Sequence, residues 1–493
     1  MTGGLIQLVS IGFEDLYLNA DPEITYFKMV YKRHTNFSQE PIIQMFSTSP
    51  DFGKRLTCSI AKTADLLSNM YVHIEIPELP KLYNGSVENV IDKFRWAKKL
   101  GYALINYIEL EINGQLVDKL YGDWMNIWSI LTIGEERKTE DILIGNIPEL
   151  YEASNGKKSY KLYVPIEFFF SKNKGLALPL IALHLSDIKI HIEFNSLENV
   201  LISSPTHFIT IEEYIVHFKK GDILTQNISG TDVNIIFDVF DYKTKRLYYT
   251  KYNESIVYYT STSKYLKSKY KLYNSSGYYV MPSTSETSHI VSYPNVSINS
   301  SNLVVNFIYL DNLERKKFAT SNHEYLINTL SYSGEQTIYN THAKMKLSFV
   351  NPSKELFWIC QFNKIKNGYI KDKFNYTSNL QYSGENIINK TSIHQNGQIR
   401  SLEEDKYLYN YLTNYLYHTG STEEGINTYS YSLDPESYQP KGSCNFSKID
   451  DLTIELTLSS LISYNNPALL RIYNYSYNIL RITDGLAGLT FVN

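Results

Sequence analysis

Cysteine is scarce in this sequence, and that scarcity excludes the classes of protein held together by crosslinks. Three cysteines, Cys58, Cys360 and Cys444, are spread over 493 residues. An odd and widely spaced set is neither a disulfide framework nor a zinc cluster, and it is typical of a reducing compartment. A chain of this length buries enough surface to fold without crosslinks. Cys360 lies in the apolar run LFWIC, which indicates a small buried side chain rather than a nucleophile.

An excess of charge of either sign is also missing. The 47 Lys and Arg residues nearly balance the 51 Asp and Glu residues, which leaves a formal net charge of −4. We therefore do not expect nucleic-acid binding through bulk positive charge. The densest basic cluster is 315–317, and on a predicted helix such a cluster indicates a solvated face.

Long apolar runs are absent. The most apolar window, 175–185, is too short to span a bilayer and contains Pro179 and His184. The N-terminus has no basic region ahead of its apolar residues, so we expect no secretory signal. The chain is expected to be made, and to remain, in the cytoplasm of its cell.

The common catalytic motifs are missing as well. The sequence has no glycine-rich phosphate loop, no HExxH and no GxSxG, and its 11 histidines are scattered. His184 and His191 have no third ligand nearby in the sequence, so strand histidines are favoured over a metal site. For Glu355, on a predicted core strand, an ion pair is favoured over a catalytic carboxylate. We expect no enzymatic activity, no cofactor and no metal.

The sequence is instead rich in tyrosine and in short strand patterns. Tyrosine accounts for 43 residues, and it favours strands. Runs of six to eight residues with period-two character recur along the chain: 71–76, 107–112, 188–194, 233–239, 303–310, 345–350 and 452–458. The pair Asn113-Gly114 predicts a tight hairpin between 107–112 and 115–120. Helical pattern is limited to 123–131 and 313–330, so we expect an all-β fold of sandwiches or jelly rolls.

The spread of strands over the whole chain predicts two jelly rolls rather than one. We expect an N-terminal arm over 1–23, a first roll over 24–310 and a second roll over 311–493, with the seam at the charged stretch 311–317. Tyr, Ser, Asn and Thr crowd the stretch 225–301, which we interpret as an insertion into the first roll. The polar stretch 364–404 is interpreted as a second surface insertion.

The insertion carries five candidate sites for N-glycosylation. Each heads an N-x-[ST] sequon: Asn227, Asn253, Asn274, Asn295 and Asn299. In a chain this rich in Asn, Ser and Thr, many sequons arise by chance, so they carry little weight alone.

Seven ordered blocks resemble the major capsid proteins of nucleocytoplasmic large DNA viruses. The blocks are 3–38, 101–128, 161–194, 307–327, 347–360, 431–458 and 473–493. They include GGLIQLVSIGFEDLYLNADPEITYFKMVYKRHTNFS at the start and YNYSYNILRITDGLAGLTFVN at the end. This sequence departs from the family's pattern between the blocks, mainly at 225–301.

The resemblance implies a double jelly roll of two eight-stranded antiparallel sandwiches, with few short helices and long surface loops. It also implies a structural protein without enzymatic activity. Three chains would form a pseudo-hexagonal capsomer that tiles an icosahedral shell, next to minor capsid proteins, penton proteins and an inner membrane. In that setting Tyr121, Trp124 and Trp128 are candidates for packing in the trimer or in the chain's own core. The apolar arm is expected to dock under the capsomer, and the insertion is expected to form an outward tower.

Two other functions remain open on the sequence alone. A minor paralogue of the main shell protein would share the same motifs. A carbohydrate-binding β-sandwich is suggested by the surface tyrosines and polar loops, and it would be a monomer that binds glycans. A β-rich hydrolase would need a clustered acid–base site, which the sequence does not offer.

Overall fold

The protein is built from antiparallel sheets joined by a few short helices. The computed structural model describes residues 3–13, 15, 19–29, 31–134, 136–212, 217–228, 230–251, 265–289, 291, 295–379 and 384–491. Within these residues, every strand pairing is antiparallel, and the all-β architecture expected from the sequence is confirmed.

Two facing sheets form the first roll. One contains Phe37–Gln44, Ser300–Leu310 and Leu66–Ile76 in that order, with Tyr160–Ile166 and the short Leu178–Pro179 both paired to Leu66–Ile76. The other has the order Arg55–Ser59, Ile188–Phe194, Ile105–Ile112, Gln115–Tyr121. Two short pairs accompany them: Lys93–Trp96 with Leu201–Ser204, and Tyr83–Asn84 with Val87–Glu88.

The second roll repeats this plan. Its larger sheet has the order His323–Ile338, Ala468–Thr483, Pro352–Phe362, Ile426–Ser430. Two short border strands are added: Cys444–Asn445 pairs with Pro352–Phe362, and Leu486–Leu489 pairs with Ala468–Thr483. Its smaller sheet has the order His342–Leu347, Leu452–Leu458, Ile388–Gln395, Gln398–Asp405. Apart from the short border strands, each roll thus has four strands facing four.

The stretch between Ser204 and Ser300 contains a separate seven-stranded sheet, which we call the insert sheet. Its order is Tyr279–Val280, Leu272–Asn274, Ile223–Ile228, Thr231–Asp241, Arg246–Lys251, His207–Thr210, Thr287–Ser288. It has its own apolar cluster, in which Ile209, Ile235 and Leu247 are fully buried. The insert sheet therefore begins near residue 207, earlier than the expected 225, because His207–Thr210 pairs with Arg246–Lys251.

Helices are short and lie mostly in connections. Among the described residues, the α-helices are Gly3–Val9, Leu100–Leu104, Gly122–Thr132, Arg137–Ile144, Pro148–Tyr151, Phe169–Lys172, Leu197–Val200, Asn312–Thr320, Asn363–Lys366 and Thr413–Tyr417. The 3₁₀ turns are Lys174–Leu176, Leu180–Ala182 and Phe446–Lys448, and Tyr407–Leu412 is a π-helical turn.

Two local predictions from the sequence are wrong. The helix predicted over 313–330 ends at Thr320, and the rest of that segment belongs to strand His323–Ile338, because the long antiparallel ladder with Ala468–Thr483 overrides its weak helical pattern. The polar stretch 364–404 is not only surface loop. It contains Ile388–Gln395 and the start of Gln398–Asp405, two strands of the second roll joined by the turn at Asn396-Gly397.

Candidate assembly interface

A tryptophan-bearing helix joins the two rolls. This helix, Gly122–Thr132, follows directly on the predicted hairpin and is buried on nearly all sides. Such a helix must lie between two packed layers. Gly122 is required at its start, because a Cβ there would lie 2.3 Å from the carbonyl oxygen of Tyr102. We call Gly122–Thr132 the tryptophan helix.

The tryptophan helix packs against the larger sheet of the second roll. Trp124 is 2 % exposed and stacks on Trp128, with ring centroids 5.6 Å apart. The edge of Phe357 meets Trp124 at 4.8 Å, and Tyr475 lies 5.0 Å from Trp128. These side chains belong to one continuous apolar cluster that contains residues of both rolls.

Tyr121 completes this aromatic group. Its ring lies 4.8 Å from Tyr332 and 6.3 Å from Tyr473, both on the larger sheet of the second roll. The three aromatic residues singled out in the sequence therefore meet inside one chain, between its rolls. A role for them in contacts between chains stays a prediction.

A buried ion pair lies beside the tryptophans. Arg471, which is 1 % exposed, pairs with Asp123 of the tryptophan helix and donates to Oε1 of Gln361 at 2.6 Å. Burial lowers the pKa of the Arg471 guanidinium, but the attraction of the Asp123 carboxylate is larger. The pKa therefore lies above its ordinary value. This pair was not predicted from the sequence, although an arginine inside the apolar run ALLRIYNY is a signal for a buried carboxylate partner.

A second carboxylate links the rolls through the backbone. Oδ1 of Asp118 accepts the N–H of Leu330 at 3.0 Å and the N–H of Lys119 at 2.9 Å. Burial raises the pKa of Asp118 to about 6, and those hydrogen bonds only partly oppose the shift. Asp118 lies on the first roll and Leu330 on the second, so this contact fixes their relative position.

The end of the tryptophan helix is held by a loop of the second roll. The backbone N–H groups of Gly420 and Ser421 donate to the carbonyl oxygens of Leu131 and Ile130, at 2.6 and 2.9 Å. Arg137 pairs with Glu423 in the same loop. The last carbonyls of a helix otherwise need water or a cap, and here the other roll satisfies them.

His418 forms a second buried charge cluster. Its Nε2 lies 3.0 Å from Oε1 of Glu355, and its Nδ1 lies 3.1 Å from Oε1 of Glu436. Burial lowers the pKa of His418, but the two carboxylates outweigh burial and raise it to about 9. Glu355 is fully buried, so its ion pair agrees with the favoured interpretation of this residue.

A polar cavity of about 360 Å³ lies at the junction of the rolls. Its lining includes Asp123, Glu335, Lys366 and Lys373, and Lys366 pairs with Glu335. Within the described ranges, no group of three His, Cys, Asp or Glu side chains is arranged to hold a metal ion. The three cysteines are free thiols.

The N-terminal arm and the residues that follow it as far as Tyr31 present large apolar side chains to solvent. The large exposed residues are Leu5, Ile6, Leu8, Val9, Ile11, Phe13, Ile24, Tyr26, Phe27, Met29 and Tyr31. Exposure on this scale is typical of a contact surface rather than of an isolated chain. In the described part of the chain, no helix is both long and apolar enough to cross a membrane.

The five sequons differ in their surroundings. Asn227, Asn295 and Asn299 are exposed. Asn274 is buried, its Oδ1 accepts the backbone N–H of Ser276 and Tyr278, and its Nδ2 lies 3.4 Å from Asp222. Asn253 lies outside the described residues.

Comparison with known proteins identifies the family. Residues 25–229 match the model of the major capsid protein N-terminus, and residues 314–488 match that of the large eukaryotic DNA virus major capsid protein. A probable capsid protein 4 of Acanthamoeba polyphaga mimivirus is 40 % identical over all of this chain and 99 % of its own length. The chain belongs to the major capsid protein family of large eukaryotic DNA viruses. The major capsid protein of Phaeocystis pouchetii virus, a further relative, is 28 % identical over both full lengths.

Solved structures of capsid proteins show the same fold. The Faustovirus major capsid protein superimposes with a TM-score of 0.67 at 13 % identity, covering 96 % of this chain and 94 % of that one. A subunit of the PBCV-1 virus capsid gives a TM-score of 0.64 at 22 % identity, covering 95 % and 100 %. The double jelly-roll prediction and the resemblance to viral capsid proteins are both confirmed.

Proposed function

We propose that this capsid protein forms a closed homotrimer with a pseudo-hexagonal outline, and that such capsomers tile an icosahedral shell. The observation that carries the proposal is the fixed pairing of two similar rolls within one chain by the tryptophan helix. Two similar rolls held side by side give each chain two comparable outer sides. Three chains around a threefold axis therefore supply the six sides of a pseudo-hexagon. Family membership supports the structural role, and it gives no reason to expect enzymatic activity.

We further propose the division into an arm over 1–23, a first roll over 24–310 and a second roll over 311–493. The strand Ser300–Leu310, which pairs with both Phe37–Gln44 and Leu66–Ile76, supports 310 as the end of the first roll. The helix Asn312–Thr320 leads into the second roll.

The mass of the purified chain in solution tests the trimer. Light scattering after size exclusion is expected to give about three times 57.1 kDa. A stable monomer across the micromolar range would contradict the trimer and favour a binding module such as a carbohydrate-binding sandwich.

A minor capsid paralogue is the second candidate function. Mimivirus has relatives of this chain named probable capsid protein 4 and capsid protein 1, at 40 % and 30 % identity, so one virus can carry several such proteins. Quantitative mass spectrometry of purified particles separates the two candidates. A copy number far above that of every other shell protein supports the main subunit, and a low copy number supports the paralogue.

The partners and place of assembly follow from the same proposal. We infer contacts with neighbouring capsomers, with minor capsid and penton proteins, and with the membrane side of the shell through the apolar arm. Assembly is proposed to take place in the host cytoplasm, with the finished protein in the virion. The insert sheet, which has its own core, is proposed to form the outward tower and to carry any glycans.

A further inference from the structure

An exposed apolar stripe lies on the second roll. Residues 407–417 form one continuous helical segment, made of the π-helical turn Tyr407–Leu412 and the α-helical turn Thr413–Tyr417, and we call it the tyrosine helix. Its inner face, which includes Tyr409 and Asn414, is buried. Its outer face exposes five large side chains: Tyr407, Tyr411, Leu412, Tyr415 and Leu416. Tyr415 is 80 % exposed.

Acidic side chains surround this stripe. Glu404 and Asp405 are exposed immediately before the tyrosine helix. Glu385 is also exposed, and it pairs with Lys406 at 3.2 Å, which offsets the charge of that lysine. Glu424 accepts a hydrogen bond from the Tyr411 hydroxyl. Lys390 is exposed and is the ladder partner of Asp405, so it offsets part of this charge. The rim is therefore acidic on balance, and the stripe is apolar in its middle.

The segment that follows the arm of residues 1–23 has the complementary character. The segment 24–34, ITYFKMVYKRH, contains no acidic residue and carries Lys28, Lys32 and Arg33. These three basic residues are exposed. So are the large apolar side chains Ile24, Tyr26, Phe27, Met29 and Tyr31, and Phe27 is 98 % exposed. We call residues 24–34 the arm segment.

We propose that the arm segment of one copy lies on the tyrosine helix of a neighbouring copy. Burial of the apolar side chains on both sides supplies the attraction, and the three basic residues face the acidic rim. The arm segment leads into strand Phe37–Gln44 of the first roll, whereas the tyrosine helix belongs to the second roll. The contact thus joins the first roll of one chain to the second roll of the next. It rests on the proposed trimer, because a head-to-tail contact of this kind can close a ring.

A disulfide between two differently tagged chains tests the contact. One chain carries Met29→Cys, the other carries Tyr415→Cys, and both carry Cys444→Ser because Cys444 is the partly exposed native thiol. Mild oxidation of the co-expressed mixture is expected to give a covalent pair containing both tags. Tyr464→Cys, on a similarly exposed tyrosine, is the matched control and is expected to give no such pair.

The outcomes separate this inference from the proposed function. A trimeric mass without the covalent pair overturns the docking of the arm segment and leaves the trimer standing. A monomeric mass overturns the proposed function. In a further variant that carries Met29→Cys and Tyr415→Cys in the same chain, a disulfide that forms only within that chain would overturn the assignment to a neighbouring copy.

Charge reversal gives a second, independent measurement. The triple variant Lys28→Glu, Lys32→Glu, Arg33→Glu is expected to weaken self-association by at least ~10-fold, because like charges then face each other. Adding Glu404→Lys and Asp405→Lys is expected to restore it. The control Lys316→Glu, Lys317→Glu changes exposed lysines elsewhere. All variants are expected to keep the melting temperature of the monomeric fold, and association of the triple variant equal to that of the control would overturn the proposal.

Discussion

At the scale of single residues, His418 makes the stability of the second roll depend on pH. Its folded pKa of about 9 lies above the ordinary value of 6.5. A raised histidine pKa contributes stability that is complete below pH 6.5 and is lost as the pH rises through 9. The contribution is on the order of 3 kcal/mol, since one pKa unit corresponds to about 1.4 kcal/mol.

We therefore expect the melting temperature to fall between pH 7 and pH 10. His418→Gln is expected to be destabilised at pH 7 by roughly 3 kcal/mol, because it leaves the buried Glu355 without a charged partner. Its stability is expected to change less over the same pH range. Thermal unfolding at each pH measures this, with the exposed His342→Gln as control; equal slopes for both variants would contradict the role of His418.

The contribution of Asp118 to stability is expected to change with pH in the opposite direction to that of an ordinary salt-bridged carboxyl. Its folded pKa of about 6 exceeds the ordinary 3.8, so its contribution is complete below pH 3.8 and is lost as the pH rises through 6. Asp118→Asn keeps an oxygen to accept the N–H of Leu330 and removes the buried charge. We expect the variant to be more stable than the parent at pH 7.5, by roughly 1–3 kcal/mol, and equal to it near pH 4. Denaturant unfolding at both pH values measures the difference, and Asp187→Asn is the exposed control.

At the scale of elements, the tryptophan helix governs how the rolls pack. Trp124→Ala removes a fully buried ring that touches Trp128, Phe357 and Tyr473. We expect a loss of roughly 3–5 kcal/mol in the free energy of unfolding. The exposed Tyr464→Ala is expected to change it by less than about 0.5 kcal/mol. A Trp124→Ala protein with unchanged denaturant midpoint would show that the helix does not bear on stability.

The insert sheet gives a prediction about modification. Treatment of the folded chain with a soluble N-glycosyltransferase is expected to label Asn227, Asn295 and Asn299 and to leave Asn274 unlabelled. The side chain of Asn274 is buried, and its oxygen accepts hydrogen bonds from the backbone of its own turn. Glycopeptide mass spectrometry reads each site separately. Unfolding the chain first should make Asn274 reactive. Labelling of Asn274 at the same rate in the folded chain would contradict its buried position.

Elements with strong local signals were predictable from the sequence. The hairpin of Ile105–Ile112 and Gln115–Tyr121 follows from Asn113-Gly114, whose φ angles of 52° and 78° fit a primed turn. Strands such as Ile388–Gln395 were missed because polar residues such as Lys390 and Thr391 mask their alternation. The pairing of Arg471 with Asp123 spans 348 positions, and no local pattern encodes a contact of that separation.

At the scale of the whole molecule, the shared apolar cluster should make the rolls unfold together. The first roll contributes Trp124 and the second roll contributes Phe357 and Tyr475 to that cluster, whereas the insert sheet has a cluster of its own. We expect calorimetry to show one transition for both rolls and a separate one for the insert sheet. Disrupting the insert core with Leu247→Ala should lower only the second transition. Two roll transitions in the unmodified chain would contradict the shared core.

The strand Ala468–Thr483 has a consequence for synthesis. It lies in the middle of the larger sheet of the second roll, and its Tyr473 and Tyr475 also line the cluster between the rolls. Neither that sheet nor the junction is complete until this strand has left the ribosome. A chain released before residue 468 lacks this strand altogether, so we expect it to have no ordered second roll to offer a neighbour. We therefore expect incomplete translation products to be excluded from assembly by their own failure to fold.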